Sequence, residues 1–182
     1  MKISIGFEKW FAVASAVALG VLSSATASAQ SQQTNKLRVG VYDSRAVAVA
    51  YSSSTEFAEA MKSTEAEYKK AKAAKDEKRM KKIESQMQLQ QRRAHEQGFS
   101  TGSVAGIMAK VKNSLPDVAK QAGVQVIVSK WELNYQSSEI EVVDVTDKIV
   151  ALFHVNERGL KWSREIQQKP PQPIEQITEH AD

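Results

Sequence analysis

The residues best suited to binding chemistry form one dense cationic run. Between positions 69 and 82 stand Lys69, Lys70, Lys72, Lys75, Lys78, Arg79, Lys81 and Lys82, opposed only by Asp76 and Glu77, a net charge of +6. The stretch before it is acidic, with Glu56, Glu59, Glu65 and Glu67 facing Lys62 alone, a net of −3. Cations at this density attract acidic polypeptides, phospholipid head groups or lipopolysaccharide. The plainer reading is a solvated helix held soluble by its charges. Separation of sign along one segment exceeds what solubility needs, so the run is a candidate contact for acidic polypeptides or anionic surfaces. Nucleic acid is a poor partner for it, because no aromatic set interleaves with the lysines.

Other chemistry-bearing residues are sparser. Met61, Met80, Met87 and Met108 could offer an adaptable surface to varied apolar clients, since thioether side chains repack easily. Methionine at helical spacing is more often seam or core, and that reading is preferred. His95, His154 and His180 are far apart and lack partners four residues away, so no metal site is expected. Asp144 and Thr146 are explained as helix-capping residues rather than as a catalytic pair. No Ser-His-Asp arrangement, phosphate loop or paired carboxylate signature stands out. With no cysteine in the chain, thiol chemistry and Cys-based metal sites are excluded. A non-enzymatic protein without cofactor is expected.

The N-terminus supplies the address. Lys2 and Lys9 precede an apolar run from Trp10 to Leu22, and small residues then lead to Ala27-Ser28-Ala29 before Gln30. Small side chains at the first and third positions before the cut are what signal peptidase accepts. The apolar run is too short to cross a bilayer core, which needs roughly 20 residues. Residues 1–29 are therefore read as a cleavable signal peptide, cut after Ala29, and the working chain as an exported one. Removing them leaves residues 30–182 with a net charge of +3 instead of +4, a length that suits one domain. An exported chain without disulfides depends on packing or oligomerisation for stability.

The elements that would position the cationic run follow from periodicity. Residues 30–36 read as a flexible leader. Leu37–Tyr42 alternates apolar and polar as a strand, and Ala46–Tyr51 reads as a short helix or a continuation of that strand, with Asp43 or Ser44 as a cap favouring the helix. From about Ser54 to Gln97 the sequence is helical, without Pro or Gly, and Ser54 or Thr55 can cap it. Phe57, Met61, Thr64 and Tyr68 make one seam of coiled-coil spacing; Met80, Ile83, Met87 and Ala94 make another, out of phase with the first. The slip falls within residues 69–82, where a register change, a bend or a hairpin tip could sit. Gly98–Gly102 breaks the helix. Val104 to Ala122 is amphipathic again, with a kink or restart at Pro116 and a stop at Gly123. Strands are expected at Val124–Val128, Trp131–Tyr135 and Ile140–Val143, then a helix through Phe153 capped around Asp144–Asp147. Beyond Asn156 the pattern weakens, and Lys169-Pro170-Pro171-Gln172-Pro173 suits a mobile tail over residues 156–182. The fold class is α+β, a small β-sheet body with a projecting helical arm over about residues 54–122.

Three blocks of the chain resemble the Skp/OmpH family of periplasmic chaperones. LRVGVYDSRAV (37–47) is similar to that family's opening strand, VAKQAGVQVIVS (118–129) to the turn and strand that close its arm, and Asp144-Val145-Thr146-Asp147-Lys148-Ile149 to its closing helix start. The resemblance covers roughly residues 37–153. It implies a periplasmic homo-trimer whose helical arms hold unfolded outer-membrane proteins without ATP. A structural or scaffolding envelope protein that keeps the fold without chaperoning is the alternative. Arm geometry leaves two arrangements open. Residues 54–97 as one helix would reach about 65 Å, while 103–122 would return only about 30 Å. Either the chain turns back earlier, between about 73 and 90, or the long helix overshoots the body.

Overall fold

The computed structural model describes residues 36–178. Residues 1–29, read above as a signal peptide, most of the expected leader and His180 lie outside them. The fold is mixed helix and strand. Its sheet has three strands, β1 (Arg38–Tyr42), β2 (Val126–Ser129) and β3 (Glu141–Asp144), in the order β2-β1-β3. Both pairings are parallel, with Val39 opposite Val126 on one side and Val142 on the other. The first strand is central, so Val39, Val41 and Tyr42 are all buried and the alternation of its sequence does not map onto one wet face.

Helix α1 (Ser44–Ser52) follows β1 at once, because the Asp43 side chain accepts from the Arg45 backbone N–H and caps it. It is buried on nearly every side, and Ala46, Val47 and Ala50 are fully enclosed. Small and β-branched side chains let five other helices approach it, and it forms the centre of the core.

The long helical stretch is a hairpin. Helix α2 (Thr55–Ala73) starts at Ser54, whose hydroxyl accepts from the Phe57 N–H, and α3 (Glu77–Phe99) starts at Asp76, whose carboxylate accepts from the Arg79 N–H. Three residues join them, with Lys75 in the left-handed region at φ 54°. The chain thus turns back inside the charged slip, and α3 returns antiparallel along α2. Lys70 and Lys72 in the last turn of α2, and Glu77 in the first turn of α3, suit the helix dipoles there.

Helix α4 (Ala105–Val111), one 3-10 turn (Lys112–Ser114) and α5 (Leu115–Ala122) follow. They lay Val104, Ile107 and Val118 into the core, so residues 105–122 belong to the body and the arm is shorter than expected. Pro116 stands in the first turn of α5, where its missing N–H costs nothing. Gly123 ends the helix at φ 65°, where a Cβ would strike the Arg38 guanidinium.

Two further expectations are corrected. Residues 131–135 form no strand: β2 and β3 flank β1 and run parallel, so residues 130–140 must carry the chain back across the sheet as an irregular crossover. Residues beyond Asn156 are not featureless. Helix α6 (Thr146–Ala151) is followed by α7 (Glu157–Gln167), capped by the Asn156 side chain, and α8 (Ile174–Thr178). Helix α7 packs on α1 through Gly159 and Ser163, both buried, and a Cβ on Gly159 would come within 2.8 Å of Ser53 Cβ. The proline-containing segment is tied down between them, with the Gln172 N–H donating to the Phe99 carbonyl at 2.8 Å. No described helix is long and apolar enough to cross a membrane.

Candidate functional site

Folding the hairpin gathers the whole cationic run at one end. The last turn of α2 supplies Lys69, Lys70 and Lys72, the turn supplies Lys75, and the start of α3 supplies Lys78, Arg79, Lys81 and Lys82. All eight are exposed. Lys69 pairs with Glu65 at 2.7 Å, and Arg79 reaches Glu67 at 3.4 Å. The hydrogen bond and charge of Lys69 hold the Glu65 carboxyl below its usual range. Lys70, Lys72, Lys75, Lys78, Lys81 and Lys82 form no ion pair among the described residues. The tip is therefore a concentration of uncompensated positive charge that salt screens and polyanions satisfy.

Between tip and body the hairpin buries little. Ala71 and Ile83 are its buried apolar residues, while Met61, Tyr68, Met80 and Met87 are half-buried along the seam. A two-helix ribbon has only one side to cover the other, so its seam stays partly open. Tyr68 donates to Glu84 at 2.7 Å, which fixes the register and raises the phenol pKa. Met108 lies elsewhere, against the core of the body.

A second constellation sits at the carboxyl ends of the strands and was not singled out from sequence. Asp43 follows β1, Lys130 and Trp131 follow β2, and Thr146 follows β3. Asp43 and Arg45 are both fully buried. Arg45 grips the carboxylate with two parallel bonds, Nε to Oδ1 at 3.1 Å and Nη2 to Oδ2 at 2.8 Å. Lys130 Nζ lies 2.8 Å from Oδ2, and Trp131 Nε1 donates to Oδ1 at 3.3 Å. The Trp131 ring also stacks under both cations, 4.8 Å from Arg45 Cζ and 4.5 Å from Lys130 Nζ. Thr146 Oγ1 accepts from the Asp43 N–H, and the Lys169 carbonyl accepts from Arg45 Nη1 at 2.8 Å. Burial alone would push the Asp43 carboxyl up, but hydrogen bonds from Arg45 and Lys130, with their charges, hold it below its usual value. Every Asp43 oxygen is occupied by the protein's own donors. The cluster is a clasp joining the three strand ends and the C-terminal segment, with no lone pair left to act as a base.

His95 and His154 take no part in either constellation. His95 stacks edge-on against Phe99, at 5.8 Å between ring centres, and His154 is exposed after α6. Asp144 accepts from the Thr146 N–H at 2.8 Å, but the N-cap position of α6 is Val145, which makes no side-chain cap. The Thr146 hydroxyl serves the Asp43 N–H, so the expected capping pair is not what starts α6.

A groove of about 620 Å³ lies at the base of the arm, between α1, the second half of α3 and α4. It is lined mainly by apolar side chains. Neither the charged cluster nor the hairpin tip contributes to it.

Compared with known proteins, the chain matches no family model, no curated protein and no solved structure.

Proposed function

We propose that the protein is a periplasmic, ATP-independent holdase of the Skp/OmpH kind, which retains unfolded outer-membrane proteins by contacts along its helical hairpin. The observation that carries this reading is the arm itself, with six lysines at its tip that form no ion pair among the described residues and a half-open seam of Met61, Tyr68, Met80 and Met87 behind them. Unfolded chains offer scattered acidic and apolar segments. A surface that binds each one weakly gains retention from several contacts at once, more so when several arms face one client in a homo-trimer. The same tip suits an anionic lipid or lipopolysaccharide surface. Such a mechanism needs no nucleotide, metal or bond-making residue. The test is light scattering of a urea-denatured outer-membrane β-barrel protein diluted into buffer. The holdase suppresses aggregation at near-stoichiometric ratios without nucleotide; unchanged scattering at excess protein contradicts the proposal.

One observation favours a second reading, a scaffolding envelope protein. The arm is only about 28 Å long, since α2 has 19 residues, and α4 and α5 contribute to the body instead. Short arms enclose little space. Crosslinking in cells separates the two readings, because a scaffold yields one constant partner and a holdase yields a spread of newly exported barrel proteins.

A further inference from the structure

The groove at the base of the arm combines two properties. Its lining is more apolar than polar: Val49, Tyr51 and Phe57 stand on one side, Leu89 and Phe99 on α3 and Ile107 on α4, with Ser52, His95 and three glutamines between them. Leu89 and Phe99 are 53% and 44% exposed, among the largest uncovered apolar side chains of the described residues. Its charged lining is of one sign. Arg93 and Lys110 line the groove, and among the described residues no Asp or Glu does. Lys110 is neutralised in part by Glu56, 2.6 Å away, and leans over the Tyr51 ring. Arg93 has no hydrogen-bond or ion-pair partner among the described residues.

An apolar trough with an unmatched guanidinium at its rim complements a molecule with a hydrocarbon body and an anionic head. We propose that this groove binds a single-chain amphiphile of the fatty-acid class, its carboxylate on Arg93 and its alkyl chain along Leu89, Phe57 and Ile107. The volume of about 620 Å³ falls in the range of ordinary small-molecule sites, about 300–1,000 Å³. A guanidinium meets a carboxylate with two parallel hydrogen bonds, which fixes the head while the chain adapts. The proposal is independent of the holdase reading, since it uses none of the tip lysines.

The test is calorimetric titration of the purified full chain with dodecanoate, kept below its micelle concentration, beside dodecyltrimethylammonium with the same tail and the opposite head. Saturable one-to-one uptake of dodecanoate is expected, with the cationic amphiphile bound at least roughly tenfold more weakly. Arg93→Glu is expected to weaken dodecanoate binding by roughly tenfold or more. Leu89→Asp, at an exposed position, is expected to abolish it, and Lys78→Glu at the distant tip to leave it unchanged. Circular dichroism checks that each variant is folded. No saturable uptake overturns the proposal, including the case in which a second copy or the chain's own residues 10–22 fill the groove. Equal binding of both amphiphiles, or equal losses from Arg93→Glu and Lys78→Glu, overturns it as well.

Discussion

Asp43 is the residue on which most of the body's polar structure converges. Its carboxylate serves Arg45, which is fully buried, and Lys130, whose side chain keeps 31% exposure. Removing the charge leaves Arg45 enclosed without a counter-ion, an arrangement that costs about 3–5 kcal/mol. Asp43→Asn is therefore expected to lower the unfolding free energy by about that amount in urea titration. Lys130→Gln is expected to cost about 1 kcal/mol or less, because water screens its half of the cluster. A loss for Lys130→Gln as large as for Asp43→Asn would contradict this division. The pH dependence follows from the depressed folded pKa of Asp43. Its contribution is complete above the ordinary carboxylate value of 3.8 and is lost as pH falls from there through the lower folded value. Asp43→Asn is expected to flatten the acid limb of the stability profile in that window. Little of this was legible in the sequence. Asp43 reads as a cap and is one, but nothing local marks the neighbouring Arg45 as buried. Its burial comes from α1 being covered on all sides, which no periodicity within nine residues reveals.

At the scale of elements, the legible parts are those whose signals are local. The first strand, the Asp43 and Ser54 caps and the Gly123 stop are each written in one or two residues. The hairpin left a trace too, in the two seams that fall out of phase across residues 69–82. Its turn carries a non-glycine in the left-handed region, which costs roughly 1 kcal/mol. Lys75→Gly is thus expected to raise thermal stability slightly, and a clear fall in melting temperature would contradict the turn geometry. Two elements were misread for physical reasons. Trp131–Tyr135 alternates as strands do, yet parallel topology makes it a crossover. Helix α7 went unseen because its two buried residues are Gly159 and Ser163, small side chains with little hydropathy signal, while Leu160 and Ile166 pack against the core only in part. Close approach is the function of Gly159 and Ser163. Gly159→Val is expected to force α7 off α1 and to destabilise the fold by about 1–3 kcal/mol, read as an earlier urea midpoint. A wild-type midpoint in that variant would mean that α7 does not dock as described.

For the whole molecule, the governing feature is the division between a body held by a buried core and an arm whose polarity faces water. The two parts answer to different perturbations. Salt is expected to weaken contacts at the lysine tip while leaving the buried Asp43 clasp nearly untouched, since exposed charges are screened and enclosed ones are not. A homo-trimer, as the holdase proposal requires, is expected to sediment at three times the chain mass. The central proposal is tested most directly by comparing the wild-type chain with a variant in which Lys70, Lys72, Lys78 and Lys81 are all replaced by glutamate. These side chains are exposed and form no ion pair among the described residues, so the helical content is expected to persist. The measurement is light scattering of a diluted, denatured outer-membrane protein without nucleotide. The wild-type chain is expected to suppress aggregation and the folded variant to lose most of that effect. Equal suppression by both, or none by the wild type, would contradict a client-holding role for the arm.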